Sequence, residues 1–351
     1  MNREPDMAPL VLTMGDVCGI GPEIVAKLFS ADAPDVAPCV VAGDVGAMRR
    51  AARWVGGVSA VVRIERAADA LDLPAGTLPV LQVPGLPADL LDAPVGAVDR
   101  RAGAAAAACI ERAVALVRDG EAAAIVTAPI HKEALAAAGI GYPGHTEMLQ
   151  AMSAAAGRGA PPVRMMLAND QLRVVLATIH LSLRDAIDAL DFDRVLETLR
   201  IADASAASWG SKRPRIAVAG LNPHAGEGGL FGDEEMRFIG PAVRAARAEG
   251  IDAHGPFAPD TVFMRARNAP DHPGEFDLVV AMTHDHGLIP VKYLGVADGV
   301  NVTLGLPWVR TSPDHGTAFD IAGTGRADAA SMAAAVRMAR RMAPHRSRTV
   351  P

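Results

Sequence analysis

The chain reads as an α/β protein of two domains. Apolar runs of strand length alternate with segments of helical period, the pattern of repeated βα units. Its 351 residues correspond to about two domains at roughly 150 residues each. Half of the residues are apolar and only 4% are aromatic, so the core is sizeable, aliphatic and rich in alanine.

Residues 10–13 read as the first strand, followed by the turn Gly15-Asp16-Val17-Cys18-Gly19-Ile20-Gly21, with Pro22 suited to a first helical turn. Further strands are expected at 39–42, 78–83, 124–127, 216–219 and 278–282. Residues 165–167 and 172–177 flank Asn169-Asp170 as a hairpin would, which makes the sheet mixed. Helices fit 102–118, 192–208, 234–249 and 329–342. The alanine cluster at 104–108 favours helix intrinsically. The tail carries Arg340, Arg341, Arg346 and Arg348 and reads as a solvated helix end.

Thirty-four Lys and Arg against forty Asp and Glu give a net charge of -6, which argues against a nucleic-acid coat or a membrane-surface protein. No apolar run approaches the ~20 residues that cross a bilayer, and the N-terminal apolar run ends too early for a secretory signal. Three cysteines, Cys18, Cys39 and Cys109, cannot all pair and form no CxxC, so buried thiols in a reducing cytoplasm are expected.

Chemistry concentrates where strands end. His180, His224 and His284 each follow an apolar strand, the edge at which open α/β sheets bind ligands. Imidazole suits zinc and similar divalent ions, and three protein ligands with an open position make a catalytic zinc site. Each histidine taken alone reads better as a hydrogen-bonded turn residue; three in equivalent positions put the metal reading level with that one. Asp285, beside His284, and Asp260, in a Pro-Asp-Thr turn, can orient such rings, share a metal or simply cap a helix or turn. Gly144-His145-Thr146-Glu147 opens a helical pattern whose free amides and dipole attract an anion. Lys292, Asn301 and Arg310 recur every nine residues in a stretch of glycine and apolar residues, either as solvated groups or as anion contacts; arginine offers a bidentate fork. GxGxxG and GxxxxGK[ST] are absent, which weighs against Rossmann and P-loop readings. His315, Gly316, Thr317 and Ala318 lie in a polar loop expected to run through a short helix, open to close backbone approach by a ligand.

Together, Gly-Asp-Val-Cys-Gly-Ile-Gly-Pro-Glu (15–23), Thr-Ala-Pro-Ile-His-Lys (127–132), Gly-His-Thr-Glu (144–147), Leu-Asn-Pro-His-Ala-Gly-Glu-Gly-Gly (221–229) and Gly-Val-Asn-Val-Thr-Leu-Gly-Leu-Pro (299–307) resemble the 4-hydroxythreonine-4-phosphate dehydrogenase family over nearly the whole chain. The 314–325 loop also looks like the adenosine-side segment of isopropylmalate and isocitrate dehydrogenases. The resemblance implies a two-domain, isocitrate/isopropylmalate dehydrogenase-like α/β fold with mixed sheets and a central cleft. One domain, on the cofactor side, takes 1–130 plus 300–351; the other, on the metal and dimer side, takes 131–299. It implies a divalent metal, zinc above Mg, Mn or Co, held by His180, His224 and His284 with both chains of a homodimer contributing. Substrate contacts fall on His145, Thr146, Lys292, Asn301 and Arg310, NAD or NADP on His315, Gly316, Thr317 and Ala318, and catalytic roles on Lys292, Asp260 and Asp285.

The implied reaction oxidises the 3-hydroxyl of a 4-phosphorylated hydroxy acid, by default 4-phosphooxy-L-threonine, and the β-keto acid then loses CO2. Either Lys292 or a hydroxide on the metal takes the hydroxyl proton. His286 stands where the family usually has Gln, which bears on substrate identity. Gly-Leu-Phe-Gly (229–232) and the 316–325 segment look more like the sister branch acting on D-threonate or D-erythronate 4-phosphate. A further relative oxidises the unphosphorylated dihydrodiol of terephthalate. Two other classes fit less well: an acyl-phosphate transferase, which needs no metal, and a non-catalytic metabolite-binding module, which leaves the metal and anion residues unexplained.

Overall fold

The computed structural model describes residues 8–30, 33, 38–154, 159–206, 213–295 and 298–343. Arg346, Arg348 and the end of the helix expected over 192–208 lie outside them. The elements begin β1 (Leu10–Thr13), α1 (Gly21–Lys27), β2 (Cys39–Gly43), α2 (Val45–Val55), β3 (Ala60–Ile64), β4 (Thr77–Gln82), α3 (Arg100–Arg118) and β5 (Ile125–Thr127). They continue with α4 (Lys132–Ala137), α5 (His145–Met152), β6 (Arg164–Ala168), β7 (Arg173–Leu176), α6 (Leu183–Asp188), α7 (Phe192–Ala206), β8 (Ile216–Ala219) and α8 (Gly240–Ala248). The last are β9 (Ala253–Phe257), α9 (Val262–Ala266), β10 (Leu278–Ala281), α10 (His284–Tyr293), β11 (Val300–Leu304), β12 (Arg310–Pro313) and α11 (Ala330–Met342).

The α/β class is as expected, but the division of the chain is not. Two compact units form, one of residues 1–161 and 306–351, the other of 162–305. The expected crossover at 130 falls too early because α4 and α5 pack on α3 of the first unit. Gly103 makes that packing close: a Cβ there would lie 2.0 Å from the Ala134 carbonyl oxygen. The C-terminal crossover likewise shifts from 300 to 306, leaving β11 in the second unit.

The sheet of the first unit runs β3-β4-β2-β1-β5-β12, and all its pairs are parallel. Strands β1, β2 and β5 are buried throughout, as continuous apolar runs in a parallel sheet must be. Since β1 leads to β2 on one side while β5 lies on the other, their carboxyl ends open a topological switch point, the place where such sheets bind ligands.

The sheet of the second unit runs β11-β6-β7-β10-β8-β9 and is mixed: β11, β6 and β7 pair antiparallel, the rest parallel. The hairpin at Asn169 forms as expected, with Asn169 Oδ1 accepting the Gln171 and Leu172 amides. Side chains of Leu167, Val174, Leu176, Ala219, Val279 and Leu288 build the core against α10. Gly287 lets α10 sit close, since a Cβ there would meet Leu176 Cδ2 at 2.4 Å. Among the described residues, no helix is long and apolar enough to cross a membrane.

Candidate active site

In the first unit, loops leave the carboxyl ends of β1, β5 and β12 side by side. Arg310, at the start of β12, is buried, and its Nε and Nη2 donate to Thr127 Oγ1 on β5 at 3.2 and 2.7 Å. Burial pushes its guanidinium down to about 10 while the charge of Glu147 opposes the shift, so the group is a cation at neutral pH. His145 begins α5, and its Nε2 is buried with no hydrogen-bond partner. Burial, reinforced by the Arg310 charge, drives this imidazole far below the usual histidine range, so it is neutral at pH 7. Thr146 lies in the first turn of α5, as expected, and the N-cap Gly144 supplies no side-chain bond to the first amides. Arg310, a neutral His145 and an uncapped helix start are the donors an anionic group requires.

The 314–325 loop turns repeatedly and contains no short helix, which corrects the expectation. Its turns are single bonds such as Ile321 N to Ala318 O at 3.2 Å. The loop is fastened to the 15–23 segment instead. Ile20 N donates to Thr317 O at 2.9 Å, and Gly19 gives Thr317 room, since a Cβ there would lie 2.8 Å from its side chain. Ala318 is held at φ 41, a strained conformation of the kind that collects at functional sites. His315 Nε2 is buried without a partner. His131 stacks on Phe319 with ring centroids 4.7 Å apart. The buried Glu23 carboxylate accepts the amides of Gly323 and Gly325.

Asp16 was not singled out by sequence reasoning. It follows β1, is fully buried, and accepts the Cys18 amide on Oδ1 at 2.8 Å while Oδ2 has no partner. Burial raises its carboxyl to about 6. The available signal for Asp16 and Glu23 was a carboxylate set among glycines beside a buried strand.

In the second unit β7, β10 and β8 are adjacent and parallel, and each is followed at its carboxyl end by one candidate histidine. His180 and His284 come together, with ring centroids 5.9 Å apart. His284 Nδ1 pairs with Asp285 Oδ1 at 2.8 Å, which leaves Nε2 as the outward nitrogen. His224 packs instead beside Phe231, centroids 5.9 Å apart. His180 and His224 sit at φ 42 and 55, so two of the three histidines occupy strained left-handed backbone. Among the described residues, no group of three His, Cys, Asp or Glu side chains converges within the single chain. Lys292 is exposed in the last turn of α10, Asn301 is half-buried on β11 opposite Leu167, and His286 is exposed near the start of α10. Asp260 is exposed and caps nothing, because the N-cap of α9 is Thr261.

Cys18, Cys39 and Cys109 are all buried and unbridged, and burial pushes each thiol up to about 12, so none is poised as a nucleophile.

An α/β frame with imidazoles at the ends of parallel strands and no glycine fingerprint of dinucleotide folds stands outside the Rossmann plan, and the dehydrogenase names of its relatives make it an oxidoreductase. Within that class the chain belongs to the family of the pyridoxal phosphate biosynthetic protein PdxA, whose model matches residues 35–339. A Beijerinckia indica protein named 4-hydroxythreonine-4-phosphate dehydrogenase is 54% identical over 337 residues, covering 95% of each chain. A Salmonella typhimurium D-threonate 4-phosphate dehydrogenase is 46% identical over 335 residues, covering 95% of this chain and 98% of its own. The crystal structure of 4-hydroxythreonine-4-phosphate dehydrogenase from Klebsiella pneumoniae superposes with a TM-score of 0.87 at 45% identity, covering 97% of this chain and 99% of that one.

Proposed function

We propose that the protein is a nicotinamide-linked dehydrogenase of a 4-phosphorylated hydroxy acid, with 4-phosphooxy-L-threonine as the first substrate to test. The carrying observation is the buried Arg310 cation beside a neutral His145 at the open start of α5. Such a set holds a phosphate by charge and directed donors, and the neutral imidazole adds a hydrogen bond without a second charge to desolvate. Lys292 and Asn301 are assigned to the rest of the substrate, His315 to Ala318 to NAD or NADP. The first unit is then the cofactor side and the second the metal and dimer side. The names of the relatives support the phosphorylated substrate.

His180, His224 and His284 are assigned to a divalent metal. The donor set fits: imidazoles suit zinc best among Zn, Mg, Mn and Co, and the Asp285 carboxylate on His284 Nδ1 fixes the ring tautomer that leaves Nε2 to ligate. When bound, such a metal acidifies a coordinated hydroxyl and polarises the carbonyl that replaces it. Lys292 is the chain's own candidate to take the hydroxyl proton. The 3-keto acid loses CO2 because its carboxylate is β to the new carbonyl. Asp285 acts by orienting His284; Asp260 is placed in the catalytic set only by family position, being exposed.

A second copy of the chain is proposed to complete the site. Exposed apolar side chains follow each histidine in the chain: Leu181 and Leu183 after His180, Leu230 and Phe231 after His224, and Ile289 after His284, with Leu230 72% and Leu183 66% exposed. A partner chain that covered these groups would remove them from water, which supports the assignment of an interface here. The buried, unbridged thiols fit a reducing cytoplasm.

The test is a substrate panel: 4-phosphooxy-L-threonine, D-threonate 4-phosphate, D-erythronate 4-phosphate and the dihydrodiol of terephthalate, each with NAD+ and NADP+, following reduced cofactor and released CO2. Turnover of a phosphorylated acid supports the proposal; turnover of the diol alone refutes it. The Gly-Leu-Phe-Gly segment at 229–232 favours the D-threonate or D-erythronate phosphates as the second reading.

A further inference from the structure

We infer that Glu235 is a positioning residue that aims His224 by clamping the backbone in front of it; the inference rests on the metal role proposed for His224. Residues 224–228 form an unusual left-handed turn, with φ 55, 53, 81, 43 and 66 in sequence, and three of them, His224, Ala225 and Glu227, carry a Cβ. A left-handed run is unfavourable for L-residues and persists only where its surroundings over-determine it.

One carboxylate fixes the chain immediately before this run, and backbone bonds such as Ala225 N to Asn222 O hold the run itself. Glu235 starts the π-helical turn Glu235–Ile239 that leads into α8, and it is buried at 5% exposure. Its Oε1 accepts the amides of Leu221 and Asn222, both at 2.8 Å, and its Oε2 accepts Asn222 Nδ2 at 3.0 Å. A second carboxylate, Glu234, takes Asn222 Nδ2 at 2.7 Å. Among the described residues, no lysine or arginine forms an ion pair with Glu235; its bonds are to amide donors.

The glycines are cut to fit. A Cβ on Gly220 would lie 2.9 Å from Glu235 Oε1, a Cβ on Gly226 would lie 2.8 Å from Oε2, and a Cβ on Gly232 would lie 2.5 Å from Asn222 Nδ2. Residues on both sides of His224 are therefore shaped around this carboxylate. Only Pro223 separates the clamped Asn222 from the histidine, so the clamp sets the direction in which the left-handed turn projects the imidazole. A carboxylate buried merely to satisfy two amides could be placed anywhere along a loop; this one holds the two residues just ahead of the ligand's left-handed turn.

The experiment measures zinc affinity of the full-length protein by competition with a chromophoric chelator, for wild type, Glu235→Gln, Glu235→Ala, His224→Ala and the double variant Glu235→Ala/His224→Ala. Removing an outer-shell partner lowers metal affinity about 10–100-fold, the loss expected of Glu235→Ala. Glu235→Gln keeps one acceptor oxygen but turns an amide group toward the Asn222 donor, so its loss is smaller and it carries the comparison if the alanine variant does not fold. Because Glu235 acts through His224, the double variant binds zinc no more weakly than His224→Ala alone, and amide exchange at Leu221 and Asn222 quickens in both Glu235 variants. If His224→Ala loses zinc while both Glu235 variants bind like wild type, or if the double variant is weaker than His224→Ala, the positioning role is overturned and the metal site stands. If His224→Ala keeps wild-type affinity, the metal assignment of His224 falls and this inference with it.

Discussion

Replacing Asp16 by Asn stabilises the protein at alkaline pH and leaves it unchanged in acid. The side chain is fully buried after β1, and its carboxyl is raised from 3.8 to about 6, first by burial and then against the opposing pull of the Cys18 amide and His131. A raised carboxyl means that the folded state binds the proton more tightly than the unfolded chain does. Its contribution is therefore complete below pH 3.8 and is lost as pH rises through about 6. The loss amounts to roughly 3 kcal/mol by pH 8, at about 1.4 kcal/mol for each pH step between the two values. Asn keeps an oxygen for the Cys18 amide and carries no charge, so the variant avoids the loss. Thermal melts at pH 4 and pH 8 report it: the variant's midpoint exceeds wild type by about 5 °C at pH 8 and matches it at pH 4. An equal gain at both values, or a lower midpoint at pH 8, refutes the argument that burial of an ionised Asp16 is what the fold must bear.

Arg310→Ala raises KM for a phosphorylated substrate by about 10–100-fold, as loss of a charge-assisted contact of ~1.5–3 kcal/mol requires, and lowers kcat far less; a fall in kcat with KM unchanged would remove the residue from phosphate binding. Introducing Leu230→Asp with Phe231→Asp places charge among the exposed apolar side chains beside His224. Light scattering should then find a monomer and elemental analysis a depleted metal content, whereas an intact dimer would move the interface elsewhere.

Continuous apolar strands were readable from sequence because a parallel strand buried on both faces has no competing interpretation. Residues 10–13 and 216–219 were placed with the bounds the structure shows. Strand β12 was not, since Arg-Thr-Ser-Pro has no apolar period and is held by its neighbour β5 and by α11. Strand β9, with Gly255 and Pro256 inside it, was hidden for a similar reason. The α3, α7 and α11 helices were legible from period and alanine content, whereas the domain boundary near 130 depended on a tertiary contact at Gly103. The three strand-end histidines were legible as a set. Their backbone was not: nothing local announces that residues 224–228 turn left-handed, and the side chain that holds the backbone just ahead of them, Glu235, comes 11 residues after His224. The carboxylates that hold loops in place, Glu23 and Glu235, are the residues that sequence reasoning missed, since each acts on amides remote from it in the chain.

The tie between Glu23 and Gly325 spans 302 residues, and β12 pairs with β5 across the whole of the second unit. A ribosome therefore delivers the second unit, a continuous run from 162 to 305, before it delivers the strand that finishes the first. Until residues 310–313 emerge, the edge of β5 that β12 will cover presents unpaired amides and carbonyls, and until 323–325 follow, the Glu23 carboxylate lacks its two amide donors. The loop assigned to the cofactor is thus set only after the whole second unit has been made, so binding competence follows the synthesis of that unit rather than accompanying that of β1 and β5.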